Sequence, residues 1–189
     1  QRLYLSSERI HFQYIEEGAD EYGLSSSSVR FLFQDSFSNV WAGTWGGGIS
    51  FLNYESSLFS RYNFSPIPTD AKSLTGKMIS SICADHRGKL WIGTEKGDLN
   101  VFEKGRRTVV YGKEDGVLNG NPVQSSLCDS KGNLWFGLFF GGVCHYDATR
   151  KTFRQLFSHD MAMTDVRAFY EDKDHIMWIG TSTGMKKAD

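Results

Sequence analysis

The chain is poor in what most small folds lean on. It has three cysteines and three prolines in 189 residues, and a net charge of -1. An odd, small cysteine count excludes a disulfide-stapled scaffold. Near-neutral charge leaves no basic footprint for nucleic acid. No apolar run approaches the ~20 residues of a membrane helix, so no membrane contact is expected within this segment. The first residues lack the basic, apolar, small-residue order of a signal peptide. Helical periodicity is missing throughout.

Catalytic patterns are missing too. His11, His86, His145, His159 and His175 form no His-Glu-x-x-His pattern and neighbour no Cys-x-x-Cys, so no metal is expected. Gly46-Gly47-Gly48 is followed by neither Gly-Lys-Ser/Thr nor a helix, which removes a phosphate loop. Glu171-Asp172-Lys173-Asp174 lacks calcium-loop spacing, and Ser25–Ser28 lacks Gly-x-Ser-x-Gly. Cys83 and Cys128 sit at opposite strand parity, and all three cysteines read as small buried hydrophobes. No cofactor and no catalytic residue are expected.

Aromatic residues and glycine are plentiful, at 14% and 20 residues. They are concentrated in a repeat. Val40-Trp41-Ala42-Gly43-Thr44 recurs as Leu90-Trp91-Ile92-Gly93-Thr94, Leu134-Trp135-Phe136-Gly137-Leu138 and Met177-Trp178-Ile179-Gly180-Thr181. Asp35, Asp85, Asp129 and Asp172 each stand six residues before the Trp. A β-type unit with a period near forty-five residues marks a repeat architecture.

Each unit reads as four short strands. Strand A begins at Val29, Ile79, Val123 or Val166 and ends at the Asp, which suits turn entry. Strand B carries Trp, and the Gly two residues later points to a bulge or a close backbone approach. A Gly-rich turn leads to strands C and D. Four strands at this period make an all-β β-propeller fragment of four-stranded antiparallel blades, with three full blades and two half-blades. The boundaries are 1–24 (half-blade, strands C and D), 25–74, 75–118, 119–160, and 161–189 (half-blade, strands A and B, with Gly184-Met185 starting strand C). Because the chain opens inside a unit, it is expected to extend further in nature. So few blades would leave open edges, and the expected partners are remaining blades or another copy of the chain.

The unit Val/Ile-x5-Asp-x2-Gly-x-Leu-Trp-Ile-Gly-Thr-x2-Gly resembles the two-component regulator propeller repeat over almost the whole chain. Leu138 replaces the Thr, and Ser38 and His175 replace the turn Gly. The resemblance implies the periplasmic sensor portion of a bacterial hybrid two-component histidine kinase, of the kind that detects glycan fragments and controls polysaccharide-utilisation genes. It implies no ligand residues, because the shared motif is the scaffold.

The loops between strands B and C and between D and A emerge on one face. They hold Trp45, Glu95, Lys96, Phe139, Phe140 and Thr183, with Asn119, Asn121 and Met163. Trp45, Phe139 and Phe140 could stack on a sugar ring while Asn, Lys and Glu fix its hydroxyls. The alternatives are aromatics that cover blade rims, a protein-interaction scaffold, or a propeller enzyme like the streptogramin-inactivating lyases. That enzyme would need a basic residue and a metal on the loop face.

Overall fold

A computed structural model describes residues 2–5, 10–19, 23–56, 58–66, 70–157, 160 and 163–188; His159 lies outside them. The side chains of residues up to 13, His11 included, are likewise outside the description. Among the described residues the secondary structure is strands and turns, with a short 3-10 turn at Lys113–Asp115.

The strands form separate antiparallel sheets in chain order. β1 (Arg2–Leu5) pairs with β2 (Ile10–Gln13). The first blade is β3 (Val29–Gln34), β4 (Val40–Thr44), β5 (Ile49–Leu52) and β6 (Phe59–Tyr62). The second is β7 (Ile79–Ala84), β8 (Leu90–Thr94), β9 (Leu99–Glu103) and β10 (Arg106–Tyr111). The third is β11 (Val123–Cys128), β12 (Leu134–Leu138), β13 (Val143–Asp147) and β14 (Thr152–Leu156). The fourth is β15 (Val166–Glu171), β16 (Met177–Thr181) and β17 (Gly184–Ala188). Strand C of this last blade therefore runs on from Gly184-Met185 to Ala188, and the sheet has three strands.

Neighbouring blades meet along their first strands, β3 against β7, β7 against β11 and β11 against β15. This is the β-propeller arrangement, with strand A innermost. Apolar side chains from facing sheets fill one layer between each pair of blades. Trp41, Ile49 and Tyr62 meet Leu74, Ile79, Ile92 and Phe102. Trp91, Leu99 and Val101 meet Val123, Leu134, Phe136 and Cys144. Trp135 and Val143 meet Met163, Val166, Met177 and Ile179. Trp91 is 4% exposed and lies 5.1 Å from the Tyr146 ring of the next blade.

Opposite strand parity does not keep Cys83 and Cys128 apart. Opposite faces of adjacent blades point at the same layer, so Cys83 and Cys128 border one core. Cys83 and Cys144 are buried and all three are free thiols. Burial pushes the Cys83 and Cys144 thiols up to about 12 and Cys128 to about 11, so none is a thiolate at neutral pH.

The spacing from Asp to Trp has a geometric cause. In every blade one carboxylate oxygen accepts the backbone N–H groups two and four residues on, closing the A–B turn. The other oxygen accepts the indole N–H of the Trp, at 3.0, 3.3, 2.9 and 2.7 Å in the four blades. One Asp thus ties a turn to the core, and it satisfies a buried indole that would otherwise cost about 1–3 kcal/mol.

The repeated Gly is a close approach between blades. A Cβ on Gly43 would lie 2.9 Å from Ile79, on Gly93 2.8 Å from Val123, and on Gly137 2.6 Å from Val166. Each of those residues opens strand A of the next blade. The bulge is elsewhere, in strand A, where the register slips between Val29 and Phe31, Ile79 and Ser81, Val123 and Ser125, and Val166 and Ala168.

Candidate functional site

Strands A and B are antiparallel, so the start of A lies beside the end of B. D–A connectors and B–C turns therefore share one end of the molecule. Hydrogen bonds sew them together. The residue four past each Trp donates its N–H to the residue ahead of strand A: Trp45 to Ser28 (2.9 Å), Glu95 to Met78 (3.1 Å), Phe139 to Pro122 (2.9 Å) and Ser182 to Asp165 (3.1 Å). Links also cross blades, from Gly48 N–H to Lys77 O and from Phe140 N–H to Thr164 O. A fixed backbone frame thus presents a Trp, a Glu, a Phe and a Ser at equivalent positions.

The sequence-predicted residues divide into two groups on this frame. Trp45, Phe139 and Phe140 are 50%, 38% and 66% exposed. The two Phe rings lie 4.2 Å apart, edge to face. Phe140 has φ of 57°, a left-handed conformation that a bulky side chain rarely takes. In the first blade the same position is Gly46. An aromatic that bears backbone strain to stand exposed is a pointer to function.

The polar residues are engaged within the protein. The Glu95 carboxylate accepts the N–H groups of Lys77 and Met78 at 3.3 and 3.0 Å, so it holds the D–A connector. The Lys96 ammonium sits 4.4 Å above the Phe64 ring. Asn119 donates to Gln155 Oε1 at 2.8 Å, and Asn121 to Leu118 O at 3.2 Å. Thr183 is exposed, next to Ser182. Met163 is fully buried in the layer between the third and fourth blades, which corrects its reading as a loop-face contact.

Sequence reading passed over the residues at the strand A bulges: Arg30, Ser80, Gln124 and Arg167. A bulge re-aims its side chain. Arg30 stands 4.6 Å above the Trp45 ring. Arg167 donates twice to Asp165 Oδ2, at 2.9 and 2.7 Å, while the buried Asp165 Oδ1 has no partner. No uniform sequence signal marks the bulges: Ile79-Ser80-Ser81 and Val123-Gln124-Ser125 break apolar–polar alternation, whereas Val29-Arg30-Phe31 and Val166-Arg167-Ala168 keep it.

Beside this end, Gly46–Gly48, Arg61, Phe64 and Lys77 border a shallow hollow of about 300 Å³. A wider groove of about 520 Å³ opens at the opposite end, between the second and third blades. Cavity size and exposed aromatics thus point to different ends. Among the described residues no three His, Cys, Asp or Glu side chains gather as a metal site. No helix among them is long and apolar enough to cross a membrane.

Relatives place these observations. The chain is 42% identical to the extracellular domain assigned to a hybrid two component system of B. thetaiotaomicron, over 94% of this chain and 23% of that one, with a TM-score of 0.57. The extracellular domain of a second such system from B. thetaiotaomicron shares the fold, with a TM-score of 0.77, at 22% identity over 97% of this chain and 26% of that one. The chain therefore spans about a quarter of each. No curated protein matches. The two component regulator propeller pattern matches residues 73–96, 117–139 and 162–183, each running from a D–A connector through the Trp strand. These three stretches are two component regulator propeller repeats.

Proposed function

We propose that this propeller segment is the ligand-sensing part of a periplasmic region in a hybrid two-component sensor histidine kinase. Its ligand is a glycan fragment, and the response is expression of polysaccharide-utilisation genes. The observation that carries the reading is Phe140, exposed and backbone-strained beside Phe139, on the end where the loops vary and the frame does not. Trp45 under Arg30 offers a second ring on the same end. An aromatic face stacks on the apolar side of a sugar ring at little entropic cost. The likeness to extracellular domains of hybrid two component systems supports a sensor over an enzyme. The segment itself does no chemistry in this reading; a kinase elsewhere in the protein does.

Further blades, or another copy, complete the core. Tyr170 and Met185 of the fourth blade are 65% and 68% exposed. Their equivalents Cys83 and Leu99 in the second blade are covered by the third. Sedimentation of the isolated chain tests this: self-association is expected, and a compact monomer at high concentration refutes it.

Isothermal titration against plant, host and microbial oligosaccharides tests the ligand. Saturable binding that Phe140→Gly weakens at least tenfold is expected. No binding of any glycan by the chain or by the complete ectodomain refutes the sugar assignment.

A further inference from the structure

The groove of about 520 Å³ at the A–B turn end has a composition that the loop face lacks. Its walls carry four cationic side chains, Arg87, Lys89, Lys131 and Lys151, against one carboxylate, Asp85. That carboxylate is spent inward. One oxygen accepts the Arg87 and Lys89 N–H groups at 2.9 and 3.0 Å, and the other the Trp91 indole at 3.3 Å. Lys89 meets Glu103 at 3.0 Å, outside the lining. The nearby Asp147 is held by Arg150 at 2.9 Å. Arg87, Lys131 and Lys151 are exposed and form no ion pair among the described residues.

Beneath the cations lies an apolar floor. Tyr111 and Tyr146 flank Trp91, whose ring is parallel to Tyr111 at 6.0 Å. Val109 is 41% exposed in the wall. The volume lies within the roughly 300–1,000 Å³ typical of small-molecule sites.

The next interface provides an internal comparison. There the corresponding hollow is about 220 Å³, and an acid fills its rim. Glu171 accepts the Ser130 N–H at 2.7 Å and the Ser130 hydroxyl at 2.6 Å, and lies 3.3 Å from His175 Nδ1. The position of Glu171, one before the turn Asp, is Cys128 in the third blade. No carboxylate at the Glu171 position therefore crosses the rim of the larger groove, and Lys131 and Lys151 form no ion pair among the described residues, although Lys131 borders both hollows.

We propose that the groove between the second and third blades binds a small anionic sugar, with carboxylate or sulfate groups on Arg87, Lys131 and Lys151 and the ring against Tyr111, Tyr146 and Val109. This site is separate from the loop face and does not rest on the function assigned there. Unscreened cations over a low-dielectric floor attract anions more strongly than the same cations on an open surface.

Calorimetric titration of the chain with a hexuronic-acid trisaccharide at low salt tests it, alongside a neutral trisaccharide and inorganic phosphate. Saturable binding of the acidic trisaccharide is expected, at least tenfold weaker in Arg87→Glu/Lys151→Glu and unchanged in Lys96→Glu at the opposite end. Failure of the acidic trisaccharide to bind overturns the proposal. So does neutral-sugar binding that Arg87→Glu/Lys151→Glu weakens equally, equal loss in Lys96→Glu, or phosphate binding as tightly as the trisaccharide. A sulfated disaccharide as a further probe separates sulfate from carboxylate recognition within the proposed class.

Discussion

Gly137 and Gly180 are the same residue of the repeat in different surroundings, and the difference fixes the sign of a mutational effect. A Cβ on Gly137 would stand 2.3 Å from the Ser125 hydroxyl, 2.6 Å from Val166 Cγ1 and 2.6 Å from the Val166 carbonyl oxygen. The hydroxyl can rotate away, but the carbonyl belongs to β15 and can yield only if the fourth blade shifts. Overpacking of that kind costs about 1–3 kcal/mol. At Gly180 the contact is with its own blade: a Cβ would meet Ala168 Cβ at 3.5 Å, an ordinary contact, and no other described blade lies within 4 Å. There the Gly→Ala change removes the strand-interior penalty of glycine, a gain of about 0.5–1 kcal/mol. For a chain of this length, about 2–4 °C of melting temperature follows each kcal/mol. Gly137→Ala is therefore expected to lower the midpoint by about 2–12 °C, and Gly180→Ala to leave it unchanged or raise it by about 1–4 °C. Differential scanning calorimetry of the two variants at equal concentration decides. Equal destabilisation would show that the glycine serves its own blade, and the account of blade-to-blade contact would fail.

Other consequences can be measured alongside. Trp91→Ala is expected to cost about 3–5 kcal/mol in urea unfolding, and Trp178→Ala clearly less, because Trp178 is only partly buried. Asp129→Asn sets an amide N–H₂ against the Trp135 indole or the turn N–H groups, and is expected to cost about 1–3 kcal/mol by the same assay. Phe140→Gly is expected to leave thermal stability unchanged or raised, since a left-handed L-residue costs about 1–2 kcal/mol, while glycan binding falls. Acid should destabilise the chain through Asp35 and Asp172. Burial would raise the Asp35 carboxyl, but the indole, amide and backbone donors outweigh it and hold it below the ordinary value. The Trp178 indole, then the Ile176 N–H, holds Asp172 low. Their contribution is full above the unfolded carboxylate value near ~3.9 and is lost as pH falls through the lower folded values. Unfolding free energy measured from pH 5 to 2 should fall less steeply in Asp35→Asn/Asp172→Asn, and an unchanged slope would remove this link.

Much of the fold was legible because one short pattern carried several constraints at once. Asp, Trp and Gly at fixed spacing marked strands A and B in every unit, and the alternating runs after them located strands C and D. The sequence places strand C at 49–52, 99–102 and 143–146 and strand D at 59–62, 109–111 and 153–156; β5 and β6 span these ranges, and β9, β10, β13 and β14 extend them by one to three residues. What stayed hidden was relational. The Asp could be assigned to a turn, but its second oxygen reaches the indole only because the strand folds back six residues later. The Gly could be assigned to a close approach, but not to the next blade. Periodicity reports which residues share a face and is silent on what that face meets. For the same reason Cys83 and Cys128 looked separated by parity, although parity across adjacent blades is what brings them to one layer.

The candidate site was legible in part, and for a different reason. Trp45, Phe139 and Phe140 stood out because large aromatics are unusual in turns, and the structure leaves all three exposed. Glu95, Lys96, Asn119 and Asn121 stood out only as polar loop residues, and polar loop residues more often satisfy backbone than ligand. Here Glu95 caps the connector that fixes Met78, the residue bridged to Trp45. Its role at this end is to hold an aromatic's neighbour in place. A Glu95→Gln change would therefore act on a sugar only through the connector, whereas Phe140→Gly would act through the contact itself. In a propeller the backbone frame repeats and the residue four past Trp does not. Specificity is accordingly read from what differs between units at that position, and the repeat motif supplies the common frame against which the difference is visible.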